Sequence, residues 1–519
     1  MAFPRIVISG MSGGSGKTII SLGVIASCRK RGMVVAPFKK GPDFIDAGWL
    51  ALAAGHPCHN LDTFLIPPDE ILLSFANHAL ASDVAVIEGN RGLYDGINLT
   101  GDTSTSELAK LLNAPVVLVI DCTKTTRTVA AMILGCVHFD PAVNICAVIL
   151  NRVAGPRHES ILRTTIEHHC HIPVLGAIPK MGGNSFPERH MGLVPTPEHK
   201  WAEESIQKAA DMAERYLDLD RLLSMIKEAP ALTDSPLTLT PRPQWEGQNN
   251  VISRGYSHFP AGRGLGRPAS VRHERVEKEE DVTLKNNTPL PRIAVIRDAA
   301  FQFYYPENIE ALEAAGAEVV MLSALEGSGI QNIDGLYIGG GFPETHARIL
   351  AKNKKFRNNI RSLAQTGLPI YAECGGLMYM GESLIVNGAT YPMVGVFPAV
   401  FGLSKRPEGH GYTILEVERK NPYYAPGTII RGHEFHYSKV LNWQGKPEDL
   451  CFRMIRGSGF NGKRDGLCYK NTLATYSHVH ALGTPAWAKA MVEASLLYQK
   501  ASAGRSNRQD SPLIPSMRR

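Results

Sequence analysis

The sequence lacks the features of membrane proteins and of secreted disulfide-rich proteins. Its apolar runs fall short of the roughly 18 residues that a membrane-spanning helix needs. The nine cysteines are an odd number and include no Cys-x-x-Cys pair, which argues against a disulfide framework and for a reducing compartment. The first residues, Phe3 to Gly10, read as a strand that enters a loop and not as a signal sequence. These absences predict a cytoplasmic protein with no membrane partner.

The charge pattern also lacks the marks of a nucleic-acid-binding protein. The 55 basic and 49 acidic residues leave a net charge of only +6 with neutral histidines. Basic residues concentrate at 254–275 and 505–519, where no basic helix or aromatic platform accompanies them. Hydrophobic residues at 44% and charged residues at 20% are typical of a soluble globular enzyme. We therefore expect a soluble enzyme without a nucleic-acid partner.

A chain of 519 residues is too long for one ordinary hydrophobic core. Short apolar strands alternate with helical stretches up to Ile178, which is typical of a parallel sheet with helices on both faces. Few large aliphatic residues occur between Lys227 and Leu290, and a new strand begins at Arg292. The predicted fold is α/β throughout, with a P-loop parallel-sheet domain at 1–226, a disordered linker at 227–290, a second α/β domain at 291–500 and a disordered tail at 501–519.

A glycine-rich segment, Gly10-Met-Ser-Gly-Gly-Ser-Gly-Lys-Thr, links the first predicted strand to the first predicted helix. The backbone N–H groups of such a loop surround phosphate oxygens, so the segment predicts an ATP site. Lys17 would neutralise the β- and γ-phosphates, and the Thr18 hydroxyl would bind Mg²⁺. The first glycine lies one residue earlier than in the common motif, a spacing that resembles the dethiobiotin-synthetase type of P-loop. The predicted nucleotide-binding residues are Gly13, Gly14, Ser15, Gly16, Lys17 and Thr18.

Two acidic segments end later predicted strands: residues 39–46 read Lys-Lys-Gly-Pro-Asp-Phe-Ile-Asp, and residues 88–95 read Glu-Gly-Asn-Arg-Gly-Leu-Tyr-Asp. The carboxyl ends of parallel strands meet at the crevice where ligands bind, and carboxylates there can hold Mg²⁺. The predicted metal ligands are Thr18, Asp43 and Glu88. The predicted phosphate or substrate contacts are Lys40, Asp46 and Asp95. Lys39 could replace Lys40 at the phosphate, and Asp43 or Asp95 could instead cap a turn.

A second motif, Ile370-Tyr-Ala-Glu-Cys-Gly-Gly-Leu-Met, puts Cys374 between a predicted strand and a predicted helix. This is the local geometry of a nucleophile elbow, and a helix N-terminus favours the thiolate form of a cysteine. The predicted base is His478, within Thr475-Tyr-Ser-His-Val-His. Either His478 acts alone, or His480 on the same strand face orients it.

Backbone N–H donors are also needed for the oxyanion that forms when a thiolate attacks an amide. The segment Tyr337-Ile-Gly-Gly-Gly-Phe-Pro-Glu follows a predicted strand, although a glycine triplet by itself fits a tight turn equally well. The predicted oxyanion donors are Gly340, Gly341 and Gly375. The polar and aromatic segment 431–437 is expected near this site without a catalytic role.

A nucleotide site and a thiol nucleophile in one chain predict a two-part reaction. ATP would turn a carboxylate into an electrophile, and Cys374 would release ammonia from glutamine to attack it. The sequence therefore predicts a glutamine-dependent amide ligase. A ParA-like nucleotide switch is the alternative of a different class, but a switch has no need of Cys374 and His478.

These motifs, in this order, resemble the cobyrinic acid a,c-diamide synthase family, in which a dethiobiotin-synthetase-like ATPase is fused to a class I glutamine amidotransferase. The resemblance covers about residues 4–225 and 291–498. It is carried by the segments that begin at Ser15, Lys40, Glu88, Asn151, Pro187, Gly339, Ala372 and Arg431.

The resemblance implies that ATP, Mg²⁺ and glutamine are used to amidate the a and c acetate groups of cobyrinic acid. It matches the family's nucleophile to Cys374, its histidine to His478, and its acidic substrate and metal residues to Asp46, Glu88 and Asp95. The implied partners are glutamine and a tetrapyrrole polycarboxylate, and the chain could form a homodimer. Hydrogenobyrinic acid and nickel-sirohydrochlorin remain alternative acceptors, since the same architecture serves them.

Overall fold

The computed structural model of the protein describes residues 3–180, 188–189, 192–193, 201–232, 289–327 and 329–509. Residues 233–288 of the predicted linker, residues 510–519 of the predicted tail and most of the segment that begins at Pro187 lie outside the described residues. Within the described ranges, no helix has the combined length and apolar character that a membrane span needs.

The N-terminal domain is a seven-stranded sheet in the order β3-β2-β4-β1-β5-β6-β7. All strand pairs within this seven-stranded sheet are parallel, which confirms the predicted sheet. The elements are β1 (Arg5–Gly10), α1 (Lys17–Lys30), β2 (Val35–Lys40), α2 (Ile45–Ala54), β3 (His59–Leu61), α3 (Pro68–Ala79), β4 (Val84–Gly92), α4 (Thr105–Leu111), β5 (Val116–Asp121), α5 (Thr128–Phe139), β6 (Ile145–Val153), α6 (Pro156–Cys170), β7 (Val174–Pro179), β8 (Glu188–Arg189), β9 (Gly192–Leu193), α7 (Ala202–Tyr216) and α8 (Leu219–Lys227).

The buried guanidinium of Arg5 fixes the chain that follows α8. Its Nε donates to the carbonyl of Leu112 at 2.7 Å, and its Nη2 donates to the carbonyl of Pro230 at 2.7 Å. The Asn113 side chain donates to the carbonyl of Ala231 at 3.2 Å. The first residues of the predicted linker therefore belong to the N-terminal domain.

The C-terminal domain contains a ten-stranded sheet in the order β11-β10-β12-β13-β22-β21-β20-β17-β18-β23 and a four-stranded sheet in the order β15-β14-β16-β19. The elements are β10 (Arg292–Ile296), α9 (Pro306–Ala314), β11 (Glu318–Leu322), β12 (Gly335–Ile338), α10 (Ala347–Lys352), α11 (Lys354–Thr366), β13 (Ile370–Glu373), α12 (Gly375–Met380), β14 (Ser383–Val386), β15 (Ala389–Pro392), β16 (Ala399–Leu403), β17 (Gly409–Val417), β18 (Ile429–His436), β19 (Ser438–Trp443), β20 (Leu450–Arg456), β21 (Arg464–Tyr469), β22 (Thr472–Thr475), β23 (His478–Val479) and α13 (Ala486–Gln509).

The predicted second α/β domain is confirmed for the parallel half of this sheet, from β11 to β22. The other strands pair antiparallel, and they bring β18 and β23 to the same edge. The last helix, α13, continues to Gln509. Residues 501–509 therefore belong to a helix, although the sequence places the start of a disordered tail at 501.

Polar and aromatic contacts join the two domains beside β3. The backbone N–H of Asn60 donates to Glu307 Oε1 of α9 at 3.1 Å, and the hydroxyl of Tyr412 donates to Asp62 at 2.5 Å. The ring of Phe64 lies 4.4 Å from that of Tyr412. Because Glu307 and Asp62 are buried, loss of either contact would leave an unpaired polar group at the domain boundary.

Glu310 of α9 forms a separate ionic cluster with two histidines of the N-terminal domain. His59 Nε2 lies 2.9 Å from Glu310 Oε1, and His78 Nε2 lies 3.2 Å from Glu310 Oε2. The two imidazoles are stacked, with centroids 3.5 Å apart and planes at 20°. Both Nε2 atoms face the single carboxylate of Glu310, so the three side chains form a contact between the domains.

We predict that Glu310→Gln lowers the melting temperature by about 1–2 °C near pH 6 and has little effect at pH 9. Burial disfavours the charged form of His78, but the hydrogen bond that its Nε2 donates to Glu310 outweighs it and raises the pKa of His78. That stabilisation is fully present below the histidine's unfolded pKa and is lost as pH rises through the raised value. Burial disfavours the charged form of Glu310, but the hydrogen bonds from His59 and His78 outweigh it and lower the pKa of Glu310. On the acid side, the contribution of Glu310 to stability is therefore present above the unfolded pKa of a glutamate, about 4.3, and is lost as pH falls through the lowered value. Thermal melts of both proteins across pH test this; an equal loss at pH 9 would contradict it.

Candidate active sites

The predicted phosphate loop lies between β1 and α1 with its glycines in the conformations that such a loop requires. Gly14 and Gly16 have φ of 73° and 97°, where glycine is favoured. A Cβ at Gly13 or Gly14 would meet no atom within 4 Å, so this side of the loop is open. A Cβ at Gly16 would lie 2.2 Å from the Asn151 side chain, which donates to the Ser15 carbonyl at 2.8 Å. Asn151 of β6 thus supports the loop from behind.

Next to the loop, a cluster of Thr18, Lys39, Asp46 and Glu88 combines groups from α1, β2, α2 and β4. The Thr18 hydroxyl donates to Glu88 Oε1 at 2.7 Å and lies 3.5 Å from Asp46 Oδ2. Lys39 Nζ donates to Asp46 Oδ2 and Glu88 Oε1, both at 2.9 Å. Burial disfavours the Lys39 charge, but the carboxylates of Asp46 and Glu88 outweigh it and raise the pKa of Lys39. The cluster therefore holds a cation among carboxylates at the carboxyl edge of the sheet.

Two orphaned atoms show that these residues fit a nucleotide and a divalent cation. Among the described residues, Ser15 Oγ and Glu88 Oε2 are buried without a hydrogen-bond partner. Lys17 Nζ reaches only the Ser12 carbonyl, at 3.4 Å. A phosphate would give Ser15 and Lys17 an acceptor, and a hard cation would give Glu88 Oε2 an oxygen-preferring partner.

Asp43 and Asp95 act as caps, the alternative that the sequence leaves open. Asp43 Oδ1 accepts from the backbone N–H groups of Ile45 and Asp46, both at 2.9 Å, at the start of α2. Burial, with a further contribution from Asp46, raises the pKa of Asp43 to about 7. Asp95 Oδ2 accepts from the Gly92 N–H at 2.8 Å. Asp46 is therefore the aspartate that lies beside Thr18, while Asp43 shapes the turn that carries it.

Cys374 lies between β13 and α12, with φ 48° and ψ −99°. A side chain in this conformation is strained, as at the nucleophile elbows of other enzymes. A Cβ at Gly375 would lie 3.0 Å from the Gly341 nitrogen, and one at Gly376 would lie 2.4 Å from the Ile338 carbonyl oxygen. Both glycines therefore allow the glycine-triplet loop to approach the cysteine closely.

The electrostatics at Cys374 differ from the predicted thiolate. The side chain is buried, and burial, followed by the nearby Glu344 carboxylate, raises the thiol pKa above its ordinary value. A hydrogen bond from the Gly375 N–H acts in the opposite direction but is weaker. The N-terminus of α12, a helix of only six residues, does not offset this effect of burial on the thiol pKa. The raised pKa favours the neutral thiol, so attack would need a base to take its proton.

Glu373 holds the predicted base, His478, and sequence reasoning missed it. Glu373 Oε2 lies 3.3 Å from His478 Nδ1 and accepts from the Tyr337 hydroxyl at 3.0 Å. Its other oxygen accepts from the Val479 N–H at 3.1 Å. The carboxylate can only accept, so Nδ1 carries the proton and Nε2 is left as the basic nitrogen. A Cβ at Gly340 would lie 2.4 Å from His478 Cε1, so the ring borders the predicted oxyanion loop.

His480 faces the domain boundary and leaves the orienting role to Glu373. Its Nε2 lies 3.7 Å from Glu307 Oε1, and its Nδ1 accepts from the Leu482 N–H at 3.3 Å. On β18, the ring of His433 stacks on His478 at 4.9 Å. Burial, and then the charges of His478 and His480, lower the pKa of His433 well below its ordinary value. The segment 431–437 therefore borders the site, as expected.

A cavity of about 270 Å³ lies between the domains, and its lining residues neighbour both sites. The N-terminal domain contributes Lys40, Asp43, Phe44, Arg91 and Asp95, and the C-terminal domain contributes Phe303, His410, Tyr412, His433, Glu434, Phe435 and His478, among others. Lys40 therefore faces the cavity, whereas Lys39 pairs with the carboxylates beside the loop. The sequence offered no signal for His410 or Tyr412, because their place depends on how the domains pack, whereas Arg91 lies in the segment 88–95 predicted at the crevice.

Comparison with known proteins accounts for both domains. A family model described as the CobQ/CobB/MinD/ParA nucleotide binding domain matches residues 6–194, and one described as the CobB/CobQ-like glutamine amidotransferase domain matches residues 292–486. Cobyrinate a,c-diamide synthase of Magnetococcus marinus is 41% identical over 487 residues, which are 93% of this chain and 96% of that protein. The proteins of the same name from Archaeoglobus fulgidus and Dehalococcoides mccartyi are 38% and 37% identical, covering 96% and 95% of this chain and 98% and 99% of their own. The chain therefore belongs to the cobyrinate a,c-diamide synthase family of glutamine-dependent ligases.

Proposed function

We propose that this chain uses ATP and glutamine to amidate the a and c acetate carboxylates of cobyrinic acid in cobalamin biosynthesis, through an acyl-phosphate intermediate. The observation that carries this proposal is the cavity between the domains. Lys40 and His478 both line it, so a carboxylate held near Lys40 and ammonia released near His478 would meet in one cavity. Lys40 and Arg91 are the basic residues of a wall that also contains Asp43, Asp95 and Glu434, and they would pair with carboxylates of the acceptor.

In the first step, an acetate oxygen of the acceptor attacks the γ-phosphorus of ATP, and ADP leaves. Lys17 and the N–H groups of the phosphate loop hold the phosphates, since this chemistry depends on positioning and charge neutralisation. Thr18, Asp46 and Glu88 would hold Mg²⁺, with Asp46 in place of Asp43 because the Asp43 carboxylate caps α2. When bound there, Mg²⁺ would neutralise charge on the phosphates.

In the second step, His478 Nε2 takes the thiol proton as Cys374 attacks the glutamine side-chain amide. The N–H groups of Gly341 and Gly375 are the proposed oxyanion donors, because their backbones lie against each other beside the cysteine. Proton return from His478 releases ammonia and leaves a thioester, which water hydrolyses to glutamate. Ammonia then crosses the cavity and attacks the acyl phosphate, and phosphate leaves as the amide forms.

The test is product analysis with ATP, Mg²⁺, glutamine and one macrocycle at a time: cobyrinic acid, hydrogenobyrinic acid or nickel-sirohydrochlorin. Mass spectrometry should find two successive one-unit mass losses, each the replacement of a hydroxyl by an amino group, with cobyrinic acid as the best acceptor. Amidation of another macrocycle in preference would transfer the same chemistry to that acceptor. ATP turnover without any amide would instead favour a ParA-like switch.

We predict that Glu373→Gln slows glutamine-driven amidation by about 10²-fold, because a neutral amide cannot stabilise the imidazolium that forms when His478 takes the thiol proton. Gln retains the size of the side chain and an oxygen for the Val479 N–H. The loss should fall on kcat with a shifted pH profile, while amidation with added ammonium is spared. Steady-state rates with either nitrogen source measure this. A loss confined to the KM for glutamine would contradict an orienting role.

A further inference from the structure

Phe44 of the N-terminal domain contacts the catalytic histidine of the other domain. It lies in the turn between β2 and α2, and its ring centroid is 5.2 Å from that of His478 and 5.5 Å from that of His433. The ring also lies 4.6 Å from Tyr305 and stacks on Phe303 at 5.3 Å with only 5° between the planes. Phe44 of the N-terminal domain therefore contacts four rings of the C-terminal domain.

The turn that carries Phe44 is part of the synthetase site. Asp43 precedes the phenylalanine and caps α2, and Asp46 follows it and pairs with Lys39. The Asn60 side chain donates to the carbonyls of Gly41 and Asp43 at 2.8 and 3.0 Å. The position of the Phe44 ring is thus set by the same backbone that aims Asp46 at the metal and phosphate site.

Phe44 is also part of the wall of the cavity through which ammonia would pass. The side chain is partly buried and forms part of the cavity wall, so removal of the ring would widen the open part of the cavity. Ammonia is small and exchanges readily with water, so an opening of a few ångströms would let it escape or take up a proton. An enclosed site prevents this kind of side reaction.

We propose that Phe44 is a positioning residue that couples the two reactions: its ring holds His478 in place and narrows the cavity between the domains. This inference rests on the proposed function, since it concerns the transfer of ammonia between those sites. Coupling then means that each glutamine hydrolysed yields about one amide. The contact makes glutaminase chemistry efficient only while the Asp43–Asp46 turn is formed.

The test compares Phe44→Ala with the wild type in reactions that contain cobyrinic acid, ATP, Mg²⁺ and glutamine. Glutamate and amide are measured in the same samples. We expect the ratio of amide to glutamate to fall about threefold or more in Phe44→Ala, because ammonia leaks before transfer. Glutamine-driven amidation should fall more than ammonium-driven amidation. A ratio that remains near the wild-type value would overturn the proposal.

Phe64→Ala is the matched control, because Phe64 also makes an aromatic contact between the domains, with Tyr412. It should retain the wild-type ratio; an equal fall would attribute the effect to domain docking and overturn the role of Phe44. If Phe44→Ala does not fold, Phe44→Leu and Phe44→Tyr replace it, with uncoupling expected for leucine alone. If the wild type amidates none of the three macrocycles, the proposed function fails. Coupling is then judged by whether ATP with Mg²⁺ stimulates glutamine hydrolysis in the wild type but not in Phe44→Ala.

Discussion

Cys374→Ser should abolish amidation from glutamine while amidation from added ammonium continues. A serine hydroxyl is far less acidic than a thiol, so His478 would remove its proton much less readily. Losses of about 10³-fold or more are expected when a nucleophile of this kind is replaced. Serine is close to cysteine in size, so the change leaves almost no cavity. Cys374 follows β13 and lies outside the phosphate site. Rates with each nitrogen source, measured on protein with an unchanged melting temperature, test this.

The matched control for Cys374→Ser is Cys122→Ser, since Cys122 is also buried but lies after β5 in the other domain. It should retain both activities if it folds. Loss of ammonium-driven amidation in a folded Cys374→Ser protein would contradict the division of labour between the domains. Retention of glutamine-driven amidation would show that Cys374 is not the nucleophile.

Local motifs explain why the phosphate loop and the cysteine elbow could be predicted from the sequence. The conformations of the Gly10–Thr18 segment and of the turn around Cys374 are set by residues that are adjacent in the sequence. These include glycines at positions where the backbone has positive φ or approaches another segment closely. The alternation of strands and helices predicted the parallel sheet. The strands of such a sheet are covered on both faces, so they appear in the sequence as continuous apolar runs.

Contacts between distant segments explain what the sequence did not reveal. Glu373 meets His478 because β13 pairs with β22 in a register that aligns Glu373 with Thr475, three residues before the histidine. Nothing in the sequence near Cys374 indicates that register. Desolvation of the thiol likewise depends on the completed core. The cavity and the place of Phe44 follow from the packing of whole domains, which periodicity does not encode.

The distinction between Lys39 and Lys40 illustrates the same limit. Both end β2, where successive side chains point to opposite faces, so sequence alone leaves either as the phosphate contact. In the structure, Lys39 pairs with Asp46 and Glu88, whereas Lys40 lines the interdomain cavity. Burial lowers the pKa of Lys40, with Lys39 adding to the effect and Asp62 opposing it. Lys40 is thus suited to meet a carboxylate or phosphate, either of which would favour its charged form.

Lys17→Ala should suppress amidation from either nitrogen source by about 10³-fold, which corresponds to roughly 4 kcal/mol of lost transition-state stabilisation. The Lys17 ammonium is nearly buried at the phosphate loop, and among the residues that the structure describes its hydrogen-bond partner is the Ser12 carbonyl, at 3.4 Å. Burial, and then the Lys39 charge, lower the pKa of Lys17. A bound phosphate would favour the charged form of Lys17 by giving its ammonium an anionic partner.

The control for Lys17→Ala is Lys40→Ala, which removes the same charge from the cavity wall. We expect Lys40→Ala to raise the KM for the acceptor, because Lys40 faces the cavity, with a smaller loss of kcat. Glutamine hydrolysis should continue in Lys17→Ala, since Cys374 and His478 belong to the other domain. Steady-state amidation with glutamine and with ammonium, together with glutamate release, separates these outcomes. An acetate that is not phosphorylated is a poor electrophile for ammonia, so amidation requires phosphoryl transfer. Near-normal amidation with ammonium in Lys17→Ala would therefore mean that phosphoryl transfer does not need Lys17 and that the lysine only supports the loop.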